Sequence, residues 1–366
     1  MQLRGGFQGG SDHYGVRVRV SRILHATPMR KGRALPSFVQ DATRLLPVVG
    51  RGPRALRQQA ATAIIAAEQN WSGRCARMDH SACDVRPASP MARLRLPCSK
   101  VVAESIRDLG MVAQVNRRNL ICHIYPHRKG GHWRHAVAHL RARWSQFTGR
   151  RTISVALSEC SDSLDDVKAE FGDCEAEFLS HPNTELQEVQ NLMALLRSVE
   201  REPGITLYCH AKGCTHVADD AASHAWCDAM AAACLDYPDL VDCMLRDGGT
   251  CGAFRSTQRI GWSNSPWHFA GTWFWFRNDR LFAREWGDFE QVFWGLESYP
   301  GKHFSHDESR CLFFDHAETA HLYGPEFWRS NIGPAFRAWR EKLLGCGLRP
   351  LCDRPPLSVL GGEVLA

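Results

Sequence analysis

No apolar run in this 366-residue sequence approaches the roughly 18 residues that a membrane-spanning helix needs. The N-terminus also lacks the charged, apolar, small-residue order of a secretory signal. A cytoplasmic location is therefore the expectation, with peripheral membrane contact left open. The 15 cysteines are odd in number and contain no Cys-x-x-Cys pair, which argues against both a disulfide scaffold and a zinc ribbon. Most of them are expected to be reduced and buried. Cys209, Cys214 and Cys227 lie near His210, His216 and His224, but tight ligand pairs are missing, so no zinc site is expected there.

What the chain does have is enough apolar residues, 44% with 10% aromatics, to build a folded core. Its length fits one large domain of catalytic size plus something smaller. The net charge of +6 hides an asymmetry. Residues 1–118 carry 20 Lys/Arg against 7 Asp/Glu, whereas 119–366 carry 25 against 32. A basic leader of this kind can touch nucleic acid or an anionic membrane surface. Its glycines, prolines and weak periodicity favour a poorly ordered extension, or translated sequence upstream of the true start. No nucleic-acid motif is recognisable in it, and no nucleic-acid partner is expected.

Within the leader, helices are expected over 58–69 and 99–112, with a proline- and arginine-rich linker over 81–97. From Asn119 the texture changes to short apolar strands alternating with amphipathic helices, the pattern of a mostly parallel sheet with crossover helices. Strands are predicted over 120–125, 152–157, 176–179, 205–209, 251–254 and 271–276. Helices are predicted over 131–147, 163–171, around 186–196, over 219–245 with a break at Pro238, and over 286–296, 307–314 and 335–344. A proline-rich tail follows from Pro350.

The most informative stretch is the strand Ile205–Cys209 running into His210-Ala211-Lys212-Gly213. In an open α/β sheet ligands bind beyond the strand carboxyl ends, so a basic turn there suits an anionic, phosphorylated ligand, with Lys212 as the main contact and His210 as a second donor. An exposed lysine in a tight turn is the plainer alternative. Residues 262–299 hold 13 of the chain's 35 aromatics. Many must be core, yet Trp267, His268, Trp273 and Arg277 bring polar tips of the kind a sugar or nucleobase pocket uses, and Gly271 permits close approach. Glu297, Asp307 and Glu308 follow, the first set off by a loop-forming Tyr299-Pro300-Gly301. One of them is expected to act as general base, although helix capping is the commoner fate of a carboxylate. His132, His135 and His139 share a helix face, but Trp133 and Trp144 suggest a helix packed over the sheet, and no metal is expected.

Taken together, residues from about His123 to Trp328 resemble a group of largely uncharacterised glycosyltransferases of the nucleotide-sugar-dependent GT-A type. The pieces that carry the resemblance are His123-Ile124-Tyr125-Pro126 with Trp133 downstream, Phe147-x-Gly149-Arg150-Arg151, and His210-Ala211-Lys212-Gly213. To these are added Trp267-His268-x-x-Gly271-Thr272-x-Phe274-Trp275-Phe276-Arg277 and Glu297-x-Tyr299-Pro300-Gly301. The resemblance implies a single Rossmann-like sheet flanked by helices, spanning 116–345, between the extension 1–115 and the tail 346–366. It implies transfer of a sugar, as a hexosyltransferase does in polysaccharide biosynthesis, from a nucleotide-sugar donor to a hydroxyl of a glycan or related acceptor. Thr272 and Trp275 join the binding residues on this ground.

One departure matters: GT-A enzymes commonly hold manganese or magnesium with Asp-x-Asp, and that motif occurs nowhere in the chain. Asp165-Asp166 and Asp219-Asp220 are adjacent pairs and do not replace it. Either Lys212, His210 and Arg277 neutralise the leaving diphosphate without metal, or another carboxylate recruits the ion. A non-catalytic carbohydrate- or nucleotide-binding protein of the same fold is the alternative.

Overall fold

The central strands are near-continuous buried runs, as expected of strands covered on both faces of a sheet. The computed structural model describes residues 117–129, 131–212, 221–257, 263–292, 294–315 and 322–352. The leader, its two expected helices, Gly213, Cys214, His216, Asp219-Asp220 and most of the tail lie outside the described residues. Eight strands form one sheet: β1 (Arg118–Ile124), β2 (Arg151–Leu157), β3 (Glu177–Pro182), β4 (Ile205–His210), β5 (Thr250–Ser256), β6 (His268–Phe269), β7 (Phe274–Arg277) and β8 (Ser309–Asp315). Their order is β3-β2-β1-β4-β7-β5, with β6 and β8 both paired to β5. β1 to β4 run parallel; β7 is antiparallel to both β4 and β5, β6 is antiparallel to β5, and β8 is parallel to it. The fold is therefore α/β with a mostly parallel sheet.

Helices α1 (His132–Ala142), α2 (Leu164–Phe171), α3 (Leu192–Val199), α4 (Ala221–Leu235), α5 (Pro238–Asp247), α6 (Gly295–His303) and α7 (Gly333–Gly345) cover its two faces. Successive side chains of a strand point to opposite faces, so each strand feeds two cores. Leu120, Cys122 and Ile124 of β1, Leu207 and Cys209 of β4 and Trp275 of β7 join α1, α2, α4, α5 and α7 in one layer. Ile121, Tyr208, Phe274 and Phe276 join α3 and α6 in the other. Both faces of the central strands are thus buried, as parallel sheets require.

Local chemistry sets the element ends. Ser163 caps α2 and accepts from the Asp166 N–H at 3.1 Å, while Asp166 accepts from the Ser163 N–H at 2.9 Å, a reciprocal capping box. Pro238 breaks the long helical stretch as expected and opens α5 at its first turn.

Three expectations are corrected, the first being the helix expected over 286–296, where the described residues up to Trp294 form turns and irregular chain and α6 begins only at Gly295. Residues 309–315 form strand β8, not a helix, because Ser309, Arg310, Cys311, Phe314 and Asp315 pair with β5 and Arg255 locks the end onto Asp315 at 2.6 Å. Tyr299-Pro300-Gly301 lies inside α6, not in a loop. Gly301 permits this: a Cβ there would sit 1.9 Å from the Trp267 carbonyl oxygen, so only glycine lets the helix backbone close on β6.

Trp275 measures the tightness of the larger core. It is fully buried, stacks on Phe147 with ring centroids 6.0 Å apart, and donates its indole N–H to the Cys234 carbonyl at 2.8 Å. Trp275→Ala should cost about 3–5 kcal/mol, read as a lower urea midpoint with an unchanged m-value.

Candidate functional site

The strand order reverses between β1 and β4. From β1 the chain proceeds outward through β2 and β3, and from β4 the sheet continues the other way through β7 and β5. A crevice beyond the carboxyl ends of such a pair is the general ligand site of open α/β sheets. The two residues in register at that point are His123 and His210, and the Ala211 N–H donates to the His123 carbonyl at 3.1 Å.

Around this point the structure collects an ionisable cluster. His210 Nδ1 lies 3.2 Å from Glu188 Oε1. Two residues on, the buried Lys212 sets its ammonium 4.0 Å from the Trp226 ring centre and 3.3 Å from the Tyr323 hydroxyl. Glu297, from the first turn of α6, is coupled electrostatically to Lys212 and accepts the Gly271 N–H. His181, at the end of β3, stacks beside His123 with centroids 5.8 Å apart. Trp273 fixes the end of β4 by donating to the His210 carbonyl at 2.9 Å.

The electrostatics show why the cluster holds charge. Burial works against the Lys212 ammonium, but the Tyr323 hydroxyl and the carboxylates of Glu297 and Glu188 outweigh it, and Lys212 titrates above its ordinary value. Burial likewise opposes ionisation of Glu188, yet His210, His123 and Lys212 pull it below the usual carboxylate range. Glu297 goes the other way: burial dominates, Lys212 only partly offsets it, and the carboxyl titrates high. The result is a buried cation coupled to one carboxyl group shifted down and one shifted up. His123 Nδ1, His210 Nε2, Tyr208 Oη and Trp226 Nε1 are buried with no hydrogen-bond partner among the described residues. Buried polar atoms are seldom left so, and those of His123 and His210 belong to the residues in register at the strand ends.

The loop over Gly271 shapes the wall. Gly271 has φ +89°, and a Cβ there would lie 2.5 Å from Met230 Sδ and 2.8 Å from Trp226 Nε1. Thr272 follows at φ 60°. Two left-handed residues in succession turn the backbone so that the Gly271 N–H reaches Glu297.

Of the residues singled out in the sequence, the structure gathers His210, Lys212, Gly271 and Glu297. Gly213 is outside the described residues. His268 pairs with Ser256 at the carboxyl end of β5, and Thr272 is buried in the adjoining turn. The others lie elsewhere. Trp267 is buried in the smaller core, its indole bound to the Phe304 carbonyl at 3.2 Å, and Trp275 belongs to the larger core. Arg277 sits opposite Ile205, at the amino end of β4, where it binds Asp279 at 2.6 Å and the Arg246 carbonyl at 2.9 Å. Asp307 and Glu308 precede β8 at that same amino edge, and the Asp307 side chain is fully exposed. Hydrogen bonds from Arg284 and Ser305 hold Glu308 down at about 2 and occupy it as a turn cap.

His123, Glu188, Trp226 and Tyr323 complete the cluster; the last three were not picked out from the sequence, and His123 entered only within the motif His123-Ile124-Tyr125-Pro126. Only His123 carried a signal, as the penultimate residue of the first strand, in register with His210.

No family model matches the chain, and no curated protein does. Among solved structures, one provisionally assigned as a nucleotide-diphospho-sugar transferase from Desulfovibrio desulfuricans G20 has 11% identity and a TM-score of 0.31, covering 63% of this chain and 96% of its own. A cytidylyltransferase from Leptospira borgpetersenii serovar Hardjo-bovis has 9% identity and a TM-score of 0.31, covering 69% and 99%. Similarity of this degree carries no functional argument.

Burial brings His123 down to about 3, with Glu188 opposing. Between its unfolded value of 6.5 and about 3 the unfolded chain binds more protons than the folded one, so stability present above pH 6.5 is lost as pH falls through this window. His181, His139 and His303, also lowered by burial, add to the same limb. The melting temperature should therefore decline on acidification below about pH 6.5, and His123→Asn should make that decline shallower in a pH series of thermal melts.

Proposed function

We propose that the chain is a glycosyltransferase that moves a sugar from a nucleoside-diphosphate sugar to a hydroxyl acceptor, with its centre at the crevice between β1 and β4. The observation that carries this reading is the buried Lys212 ammonium at the end of β4, backed by His210 and facing Glu297. Lys212 and His210 bind the diphosphate and stabilise it as the bond from the sugar C1 to the phosphate oxygen breaks. Glu297, made more basic by burial, accepts the proton of the acceptor hydroxyl as its oxygen bonds to C1. Trp226 and Tyr323 wall the ammonium off from water, which strengthens its pull on developing negative charge.

The crevice does not suit the manganese or magnesium common in GT-A enzymes. Those ions seek several oxygen ligands. Here the turn after β4 presents an ammonium in place of a carboxylate, Glu188 is paired with His210, and no three metal-ligating side chains among the described residues gather at this point. No step is therefore routed through a metal. On this reading the transferase domain is 116–345, and 1–115 and 346–366 flank it as extension and tail. No helix among the described residues is long and apolar enough to cross a membrane.

A screen of nucleoside diphosphates and their sugars by thermal shift, with and without chelator, should find one nucleotide family that raises the melting temperature of the full chain. Lys212→Met should weaken that binding at least tenfold and lower turnover by about 10²–10³-fold. Glu297→Gln should keep donor binding and lose transfer, which separates an enzyme from a non-catalytic binder. Binding that survives Lys212→Met unchanged would remove the site assignment.

A further inference from the structure

The other flank of α4 carries a second cluster that the transferase reading does not use. His132, His135 and His139 project from α1, and His224, Cys227 and Asp228 come from α4. Ring centroids stand 4.3 Å apart for His132 and His224, 4.7 Å for His135 and His224, and 4.8 Å for His135 and His139. His135 Nε2 and His139 Nε2 both lie against one oxygen, Asp228 Oδ1, at 2.6 and 2.7 Å, and 3.3 Å from each other. The nearest ligand atoms of His135, His139 and Cys227 all fall within 4.8 Å of one another.

We propose that His135, His139, Asp228 and Cys227 form a zinc site that joins α1 to α4. The separation of the two imidazole nitrogens decides the geometry. For Zn–N bonds of roughly 2.0–2.1 Å, a tetrahedron has an edge of about 3.3 Å, which is the spacing of the two nitrogens, whereas Asp228 Oδ1 stands at hydrogen-bond distance from both and has to draw back by roughly half an ångström as the ion enters. Two imidazoles one helical turn apart, converging on a carboxylate and a thiol from a neighbouring helix, form a mixed N, O, S set that suits zinc better than magnesium or calcium.

Charge supports the same conclusion. Asp228 is almost wholly buried, with 5% of its side chain exposed. The nearest fixed cation, Arg143, is committed to Asp236 at 2.6 Å. A divalent ion with one carboxylate, one thiolate and two neutral imidazoles closes to zero charge.

Cys227 is a free, buried thiol, and binding would release its proton to solvent as the zinc–sulfur bond forms. With Nε2 of His139 on the metal, its proton sits on Nδ1, so the Arg143 guanidinium gives up its 3.2 Å contact with that nitrogen and keeps its 3.2 Å bond to the His139 carbonyl. The His135 side chain, 31% exposed, provides the way in for the ion. Because Trp226, the next residue before Cys227, packs on Lys212, the ion would brace the helix that walls the crevice.

The test uses the full chain without a histidine tag, stripped by chelator and titrated with zinc and, separately, with cobalt. One zinc per chain is expected, with a rise in melting temperature of roughly 5 °C or more at a hundredfold excess over Kd. The cobalt form should show intense tetrahedral visible bands and a thiolate-to-cobalt charge-transfer band that Cys227→Ser abolishes. His135→Gln, on the most exposed donor, should weaken zinc binding at least tenfold. Because the cobalt spectrum of the unaltered protein reads the donors directly, the test survives a variant that fails to fold. No zinc uptake, a cobalt spectrum without the thiolate band, or unchanged stoichiometry and affinity in both His135→Gln and His139→Gln would overturn the proposal.

Discussion

A positive charge held out of water at the end of β4 is the constraint around which the rest of the described structure is arranged. Lys212 is almost fully buried, and an unpaired ammonium in such a place would give up its proton. It stays charged because four elements distant in sequence send partners to it: Tyr323 from the segment after β8, Glu297 from α6, Glu188 from the turn before α3, and the face of Trp226 from α4. Each of those partners is in turn fixed by something else. Glu297 is aimed by the Gly271 N–H, Glu188 by His210, and Trp226 by close packing over Gly271, where no side chain fits. The cluster is a polar network within a largely apolar frame, and its members share their consequences.

The frame explains why so many aromatics crowd a short stretch of chain. β7 lies between β4 and β5 and is buried on both faces, so Phe274 and Phe276 fill one core while Trp275 fills the other. The indoles of Trp267, Trp273 and Trp275 then donate to the carbonyls of Phe304, His210 and Cys234. Buried tryptophan needs a partner for its N–H, and here that need ties strands to the segments beside them. Only Trp273 touches the site, and it does so by securing the strand end that presents His210 and Lys212.

α4 links the two ionisable clusters of the fold. Its Trp226 faces the crevice, while Cys227 and Asp228 face α1, so two successive residues look toward different chemistry. Nearly every residue of this helix is buried, which is why it lacks a polar face and why its sequence reads as plain alanine-rich packing. A helix enclosed on all sides transmits position well, and the contacts on one flank set the placement of the other.

The sequence by itself determined the alternation of strands and helices from Asn119 onward, the break at Pro238, and the placing of His210 and Lys212 at a strand's end. Those features depend on period, proline and local order, which are written in consecutive residues. It misjudged β8 and α6, where pairing along β5 and close approach to the Trp267 carbonyl overrode local preference. It also grouped Trp267 and Arg277 with the site for their polar tips, Trp275 on the family resemblance, and Asp307 and Glu308 as candidate bases after the aromatic segment. Tertiary structure alone decided that β7 runs antiparallel, which carries Arg277 to the far edge of the sheet. Likewise, only the fold brings Glu188, Trp226 and Tyr323 to Lys212 and sets His135 and His139 against Asp228. Contacts between residues about 90 positions apart leave no local pattern; they exist only once the sheet has fixed the distance between its strand ends and its covering helices.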